Sequence, residues 1–499
     1  MIQRQSPPLI PVRVAHWGLV LFLLMATTVT ASAQDMARRL HDAHETYKEQ
    51  TLTHRRFKHR DVVTLLDLLR DQAPLTISQV GESLEKRAIY QVKAGTGPVN
   101  VLLWSQMHGD EATATMALFD IFHFLTASGD EFDSLRQTIL TKLTLYSVPM
   151  LNPDGAERFQ RRTASDIDMN RDALRLQTPE GRLLKQLQQT LKPLVGFNLH
   201  DQNPRYSVGT SGRQAVVSFL ATAYNQARSV NDVRRRSMQL IAGMNRTLQQ
   251  FIPGQVARFD DEFEPRAFGD NIQKWGTTLV LIESGGWKDD PEKMNIRRLN
   301  FVAILTALQA IAEETYTQES TDEYVSIPEN SRNLFDVLIR NATIVRSGKP
   351  IRVDVGINRY EVNTDDARSY TYKSEIEDIG DLSTFSGLDE IDATGLTLTA
   401  ANVQSLTAAS TDELAQLNVD SLREAGTLLV RASVAGRQVL AGQPLHLLRA
   451  GKVPARPLAV GQVPTFLLKD GDRIRYWFVN GFWFSDRPGP GWERSSITE

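Results

Sequence analysis

The sequence predicts an α/β fold: a mixed, mainly parallel sheet with helices on both faces, followed by a smaller, mostly β domain. Three observations carry this expectation. Short apolar runs of β-forming residues alternate with longer amphipathic stretches from about Ala88 to Glu313, the pattern of buried strands covered by helices. Beyond Arg332 the composition shifts toward strands, with Asp470-Gly471 and Asn480-Gly481 as hairpin signals. The length of 499 residues, 41 % of them apolar, suits two or three domains with sizeable cores.

The elements follow in order. Arg4 and Arg13 precede an uncharged apolar run from Trp17 to Val29, then Ala31-Ser32-Ala33. This reads as an export signal over residues 1–33. The run is shorter than the roughly 20 residues that span a bilayer, so a soluble periplasmic or secreted protein without a membrane anchor is expected. Asp35 to Asp71 reads as a charged surface helix with Val62, Leu65, Leu66 and Leu69 on one face. His41, His44, His54 and His59 fall there among charged neighbours, as on a solvated face. Strands are expected at Ala88–Val92, Val99–Trp104, Leu143–Val148, Leu194–Leu199 and Leu279–Ile282. Between them, Ala112–Leu125, Gly181–Leu191, Asp232–Gln249 and Glu292–Glu313 read as helices. A first domain would thus occupy 34–318, a polar linker with Pro328 319–332, and a β-rich domain 333–499. The aromatic run from Tyr476 to Phe484 reads as one hairpin packing the small domain's core. Glu375 to Ala425 carries no clear pattern.

Lys+Arg 56 against Asp+Glu 59 leaves no basic excess, which argues against nucleic acid as a partner. Cysteine is absent, so a metal would have to be held by His, Asp or Glu. Three expected strands each end in such a residue. Val99–Trp104 runs into His108-Gly109-Asp110-Glu111, Leu194–Leu199 into His200, and Leu279–Ile282 into Glu283. Strand ends on one sheet edge collect chemistry. Two His and one Glu leave a fourth position open on a catalytic zinc, and a further carboxylate there could move a proton from water to a leaving amine. Between the first two strands lie the Asn152-Pro153-Asp154-Gly155 turn, Arg161-Arg162 and Asp168-Met169-Asn170-Arg171. One Arg can grip a carboxylate, another can stabilise an oxyanion, and Asp168 could accept the second ring proton of a ligating histidine.

In this order the residues resemble the zinc carboxypeptidase family, the metallopeptidases like carboxypeptidase A, over roughly Thr76 to Leu308. Gly81, Ser83 and Arg87 look like the family's G-x-S-x-x-x-R lead-in. The resemblance implies one Zn²⁺ on His108, Glu111 and His200, with Glu283 as base and then acid and Arg161 at the oxyanion. It further implies a clamp of Asn170 and Arg171 on the substrate's terminal carboxylate and Asp168 behind a ligand. The expected activity is hydrolysis of C-terminal peptide bonds in peptides with a free carboxylate. Two features depart from the family. No tyrosine lies between Tyr224 and Glu283, where a substrate-capping one belongs, though Tyr206 could enter from the loop after His200. Asp110 stands where digestive members often carry Arg. A zinc deacylase or amidase acting on N-acyl amino acids or murein peptides is the alternative enzyme, and a non-catalytic binding protein on a peptidase fold the alternative of another class.

Overall fold

The computed structural model describes residues 35–405, 416–432, 445–449, 458–485 and 497–498. The expected export segment, 1–33, lies outside them. Strands β1 (Leu75–Glu82), β2 (Ala88–Ala94), β3 (Val99–Ser105), β4 (Leu143–Val148) and β5 (Val195–Asp201) are followed by the short β6 (Ser207–Val208), then β7 (Val217–Leu220), β8 (Val256–Arg258) and β9 (Thr278–Ser284). All but β6 form one sheet in the order β1-β2-β4-β3-β5-β9-β7-β8. At its centre β4, β3, β5 and β9 run parallel, while β1 pairs antiparallel with β2, β2 with β4 and β7 with β9, and β8 runs parallel to β7.

The parallel strands are mostly apolar because both faces are covered, with Asn198 of β5 a fully buried polar exception. Val101 and Leu103 of β3 join the core on one side, and Leu102 and Trp104 the core on the other. The first side is packed by helix α1 (35–47), α2 (His59–Leu69), α3 (Thr113–Thr126), α4 (Asp133–Lys142), α7 (Asp232–Leu248) and α9 (Met294–Ala312). The second is packed by α6 (Pro179–Leu191) and α8 (Phe268–Lys274), while α5 (Pro153–Arg158) lies at the end of the sheet that carries the site. Val62, Leu65, Leu66 and Leu69 are the buried face of α2. His44 departs from the expectation of a solvated face: it is 1 % exposed, and its Nε2 lies 2.8 Å from Asp120, which also pairs with the fully buried Arg297. Its neighbours in sequence are charged, but α1 turns this one position into the core.

The stretch expected as a linker, 319–332, is docked on the first domain. It holds α10 (Thr321–Ser326) and β10 (Asn330–Ser331), which pairs with β6. The Tyr324 hydroxyl accepts the Ala221 N–H, and Tyr324 and Ile327 are buried. Two apolar anchors, with Glu319 and Glu323 paired to Arg246 and Glu329 to Arg258, fasten this otherwise polar segment, and so sparse an apolar pattern reads as a linker.

The second domain is mostly β. Strands β11 (Leu334–Arg346), β12 (Lys349–Asn363), β13 (Tyr370–Gly380), β14 (Ser386–Asp392) and β15 (Thr397–Ala400) precede β16 (Asn402–Ser405), β17 (Thr427–Ala432) and β18 (His446–Arg449); β19 (Phe466–Asp470), β20 (Arg473–Val479) and β21 (Phe482–Phe484) follow. The main sheet runs β13-β12-β11-β15-β19-β20-β21, with β14 also on β11. Asn480 and Gly481 both have positive φ, as a two-residue hairpin turn requires, and Phe478, Phe482 and Phe484 are buried.

Ion pairs join the two domains. Glu361 of β12 lies 2.6 Å from both Arg55 and Arg56, and the Arg56 guanidinium sits 4.1 Å from the Phe159 ring and 4.0 Å from the Tyr370 ring. Burial would raise the Glu361 carboxyl's pKa, yet the two guanidinium groups hold it below the ordinary value. Glu361→Ala leaves the buried Arg56 without its acid and Arg55 with Glu292 alone, at 3.8 Å. We expect it to lower stability by about 3 kcal/mol in urea unfolding at neutral pH. Because the folded pKa is depressed, this contribution is complete above the ordinary glutamate pKa and disappears as pH falls through the folded one.

Candidate metal centre and active site

Register assembles the site. In the parallel ladder of β5 and β9, His200 stands directly opposite Glu283, and Ser105 at the end of β3 stands opposite Leu199. The three strand ends that the sequence singled out are therefore adjacent on one sheet edge. From β3 the chain turns at Gln106, whose φ of 48° is left-handed. That conformation is strained for a residue with a Cβ, and the Gln106 amide is tied at both ends, to the Gly109 carbonyl and the Thr115 hydroxyl. The turn brings His108 and Glu111 back over the strand end.

The loop rests on the Asn152-Pro153-Asp154-Gly155 segment. Asn152 donates its backbone N–H to the Gln106 carbonyl, and a Cβ on Gly109 would stand 2.0 Å from the Gly155 backbone. The buried Asp154 accepts from Ser83 at 2.7 Å, from the Glu85 N–H at 3.0 Å and from Arg87 at 2.6 Å. Ser83 and Arg87 of the lead-in motif thus brace the metal loop through Asp154.

His108, Glu111 and His200 each bring one donor atom into a group no more than 4.8 Å across, and all three are buried. His108 Nδ1 lies 2.7 Å from one Glu111 oxygen, and His200 Nδ1 lies 2.6 Å from the other. Burial opposes charge on Glu111, but the two imidazoles hold its pKa well below the usual range. His108 is likewise opposed by burial, and Glu111 and Asp168 push it up to about 9. Burial lowers the pKa of His200. Two ring nitrogens and a carboxylate facing one another across hydrogen-bond distances fit a divalent ion in place of the shared protons, and this donor set suits zinc.

Asp168 joins the neighbouring parts. Its Oδ1 lies 3.2 Å from His108 Nε2, the contact that fixes the tautomer of a ligating imidazole, and also accepts the Asn170 N–H at 2.9 Å. That second bond caps the single 3₁₀ turn Met169–Arg171. Arg161 lies 3.0 Å from Asp168, 3.1 Å from Glu111 and 3.0 Å from His108 Nδ1. The Asn170 amide oxygen accepts the Phe268 N–H at the start of α8, and Arg171 pairs with Glu264 at 3.3 Å. Glu283, buried and beside Glu111, has its pKa raised well above the ordinary value, by burial first and then by the Glu111 charge.

Tyr206 is engaged elsewhere. Its hydroxyl accepts from Arg332 at 3.2 Å, and its ring packs edge-on to Phe259. Sequence reasoning missed Asp270, buried one turn into α8 near the Asn170–Arg171 turn. Burial lifts its carboxyl to about 7. An acid in a helix start is an ordinary surface signal, and nothing in the sequence marks it as buried.

Residues 62–191 match the family model described as zinc carboxypeptidase. Over that segment, about a quarter of its length, the chain is similar to zinc carboxypeptidases. The match covers the lead-in motif, His108, Glu111, Arg161 and the Asp168–Arg171 turn, and ends before His200 and Glu283. Among curated proteins, the chain is similar to a probable carboxypeptidase 2 of Trichophyton verrucosum, 26 % identical over 149 residues, 29 % of this chain and 27 % of that protein. A carboxypeptidase 2 of Trichophyton tonsurans is 24 % identical over 153 residues, 30 % of this chain and 27 % of that protein. The match spans about a quarter of the length of these relatives. Among solved structures, a metallo-carboxypeptidase from Burkholderia cenocepacia aligns at 15 % identity and a TM-score of 0.43, covering 52 % of this chain and 70 % of that one. One from Pseudomonas aeruginosa, in complex with (2-guanidinoethylmercapto)succinic acid, aligns at 18 % identity and a TM-score of 0.42, with the same coverage.

A proton on His108 must leave before the imidazole can ligate. Zinc uptake by the metal-free protein at pH 7 to 8 should therefore release about one proton from this residue. The release should fade as pH rises through about 9. Calorimetry in buffers of different ionisation enthalpy measures it, and His108→Ala should remove it together with the zinc.

Proposed function

We propose that this protein is a zinc-dependent carboxypeptidase that hydrolyses C-terminal peptide bonds. The observation that carries the reading is Asp168, one carboxylate that both orients His108 and caps the turn bearing Asn170 and Arg171. A metal site and a carboxylate-binding turn so linked suit a substrate whose scissile bond lies one residue from its free terminus.

When bound at His108, Glu111 and His200, zinc would supply Lewis acidity to the scissile carbonyl and acidify a water. The protein's own groups do the rest. Glu283 takes a proton from the attacking water and delivers it to the leaving amine, which needs a carboxyl that can hold a proton near neutrality. Its burial and its nearness to Glu111 support that role. Arg161 stands beside the ligands, where its fixed charge can balance the developing oxyanion. Arg171 exchanges the half-buried Glu264 for the substrate carboxylate, and the Asn170 amide adds a donor. The run from Trp17 to Val29 supports action after export.

Glu283→Gln should lower kcat at least a hundredfold on such peptides while zinc content stays unchanged. Arg171→Ala should raise KM about tenfold for free-carboxylate peptides and erase their advantage over amidated ones. Steady-state kinetics with matched free and amidated peptides, with N-acyl amino acids alongside, measures both. Hydrolysis of N-acyl amino acids in preference to every peptide would move the reading to a deacylase, and a zinc-loaded protein inert on all of them would end it.

A further inference from the structure

The β domain reaches the active site at a segment that carries none of the expected metal ligands. The turn between β12 and β13 docks on α2 and on the C-terminal end of α5. Its Arg368 lies 3.2 Å from Asp61 of α2. Lys58, only 2 % exposed, ties the Ala367 carbonyl of this turn to the Glu157 carbonyl of α5, at 3.0 and 2.6 Å. Asn363, the last residue of β12, donates to the Arg158 carbonyl at 3.3 Å and to the Phe159 carbonyl at 3.1 Å. Its amide oxygen accepts from Arg56 Nε at 3.2 Å.

Phe159 is the residue so gripped. It ends α5 with φ 46° and ψ 59°, the left-handed conformation that glycine usually supplies there. A residue with a Cβ takes that conformation at a cost and keeps it only where its surroundings fix it. Here the ring is buried 4.1 Å from the Arg56 guanidinium, and the Tyr370 ring at the start of β13 lies 4.0 Å from the same group. The last carbonyls of a helix have no partner within it, so donors from outside hold them. Lys58 and Asn363 supply those donors at Glu157, Arg158 and Phe159.

Two residues further stands Arg161. Its side chain is 43 % exposed, so packing alone does not place it. His108 and Glu111, two of its partners, are the expected ligands, and Asp168 is a third. The point from which Arg161 leaves the chain is set by the backbone that Asn363 holds.

We propose that Asn363 is a positioning residue: through the Phe159 carbonyl it sets Arg161 against the developing oxyanion, and the β domain thereby takes part in the reaction. The inference rests on the proposed function, in which Arg161 balances that charge. A charge at an oxyanion acts by its exact place, and a shift of about 1 Å can cost a hundredfold.

The test is calorimetric binding to the full-length, zinc-loaded Glu283→Gln protein. The ligands are an N-acyl dipeptide with a free carboxylate and its phosphonate analogue, whose tetrahedral anion stands in for the oxyanion. Asn363→Ala should weaken phosphonate binding about tenfold and change dipeptide binding by less than about twofold. Asn363→Asp keeps the acceptor for Arg56 and removes only the donor, so it should lose the same selectivity with Tm unchanged. Arg161→Ala should weaken the phosphonate further than either, and adding Asn363→Ala to it should bring no additional loss. A contact that merely stabilised the fold would weaken both ligands alike or neither. Equal weakening of both ligands, selectivity kept by Asn363→Ala or Asn363→Asp, or the same loss with and without Arg161 overturns the inference. Wild-type hydrolysis of the dipeptide alongside any of these results counts against the inference alone. A wild-type protein inert on peptides, whose Glu283→Gln form binds neither ligand, counts against the proposed function and takes the inference with it.

Discussion

A single buried carboxylate facing two imidazoles is the constraint around which the rest is arranged. Glu111 offers one oxygen to His108 and the other to His200, and burial makes any unbalanced charge there expensive. The balance holds only while β3, β5 and β9 keep their register. A slip of one residue along β5 would turn His200 to the opposite face of the sheet and leave Glu111 with one imidazole. Continuous apolar packing on both sheet faces is what prevents that slip, so core and site are the same problem at two scales.

Much of this was legible in the sequence because strand ends announce themselves. Val99–Trp104, Leu194–Leu199 and Leu279–Ile282 are largely apolar runs that end at polar residues, and in a strand covered on both faces the open end is where most polar residues go. Asp168, Asn170 and Arg171 sit within four consecutive positions, so local geometry alone brings them together. The lead-in motif was visible as a pattern, whereas its physical role, Ser83 and Arg87 converging on Asp154, was not, because the acid lies about seventy residues away.

What stayed hidden depends on partners remote in sequence. His44 is core because Asp120 of α3 and the Phe301 ring of α9 meet it from two other helices, and its own neighbours carry no trace of that. The docked segment 319–332 is held by two apolar side chains, a two-strand pairing and ion pairs to Arg246 and Arg258, whose acids read in sequence as those of any polar linker. Tyr206 is drawn to Arg332 at the edge of that segment, a contact that only the folded chain creates.

The pairing of Glu361 with Arg55 and Arg56 has a consequence for how such a protein changes over generations. Of two adjacent guanidinium groups buried in one domain, Arg56 takes its acid from the other and Arg55 keeps only Glu292 at 3.8 Å without it, so neither half is readily exchanged or shed as an interchangeable module. A lineage that dropped the β domain would first have to replace both arginines or find them another anion. The halves are thus inherited together, and variation in one is answerable to the other.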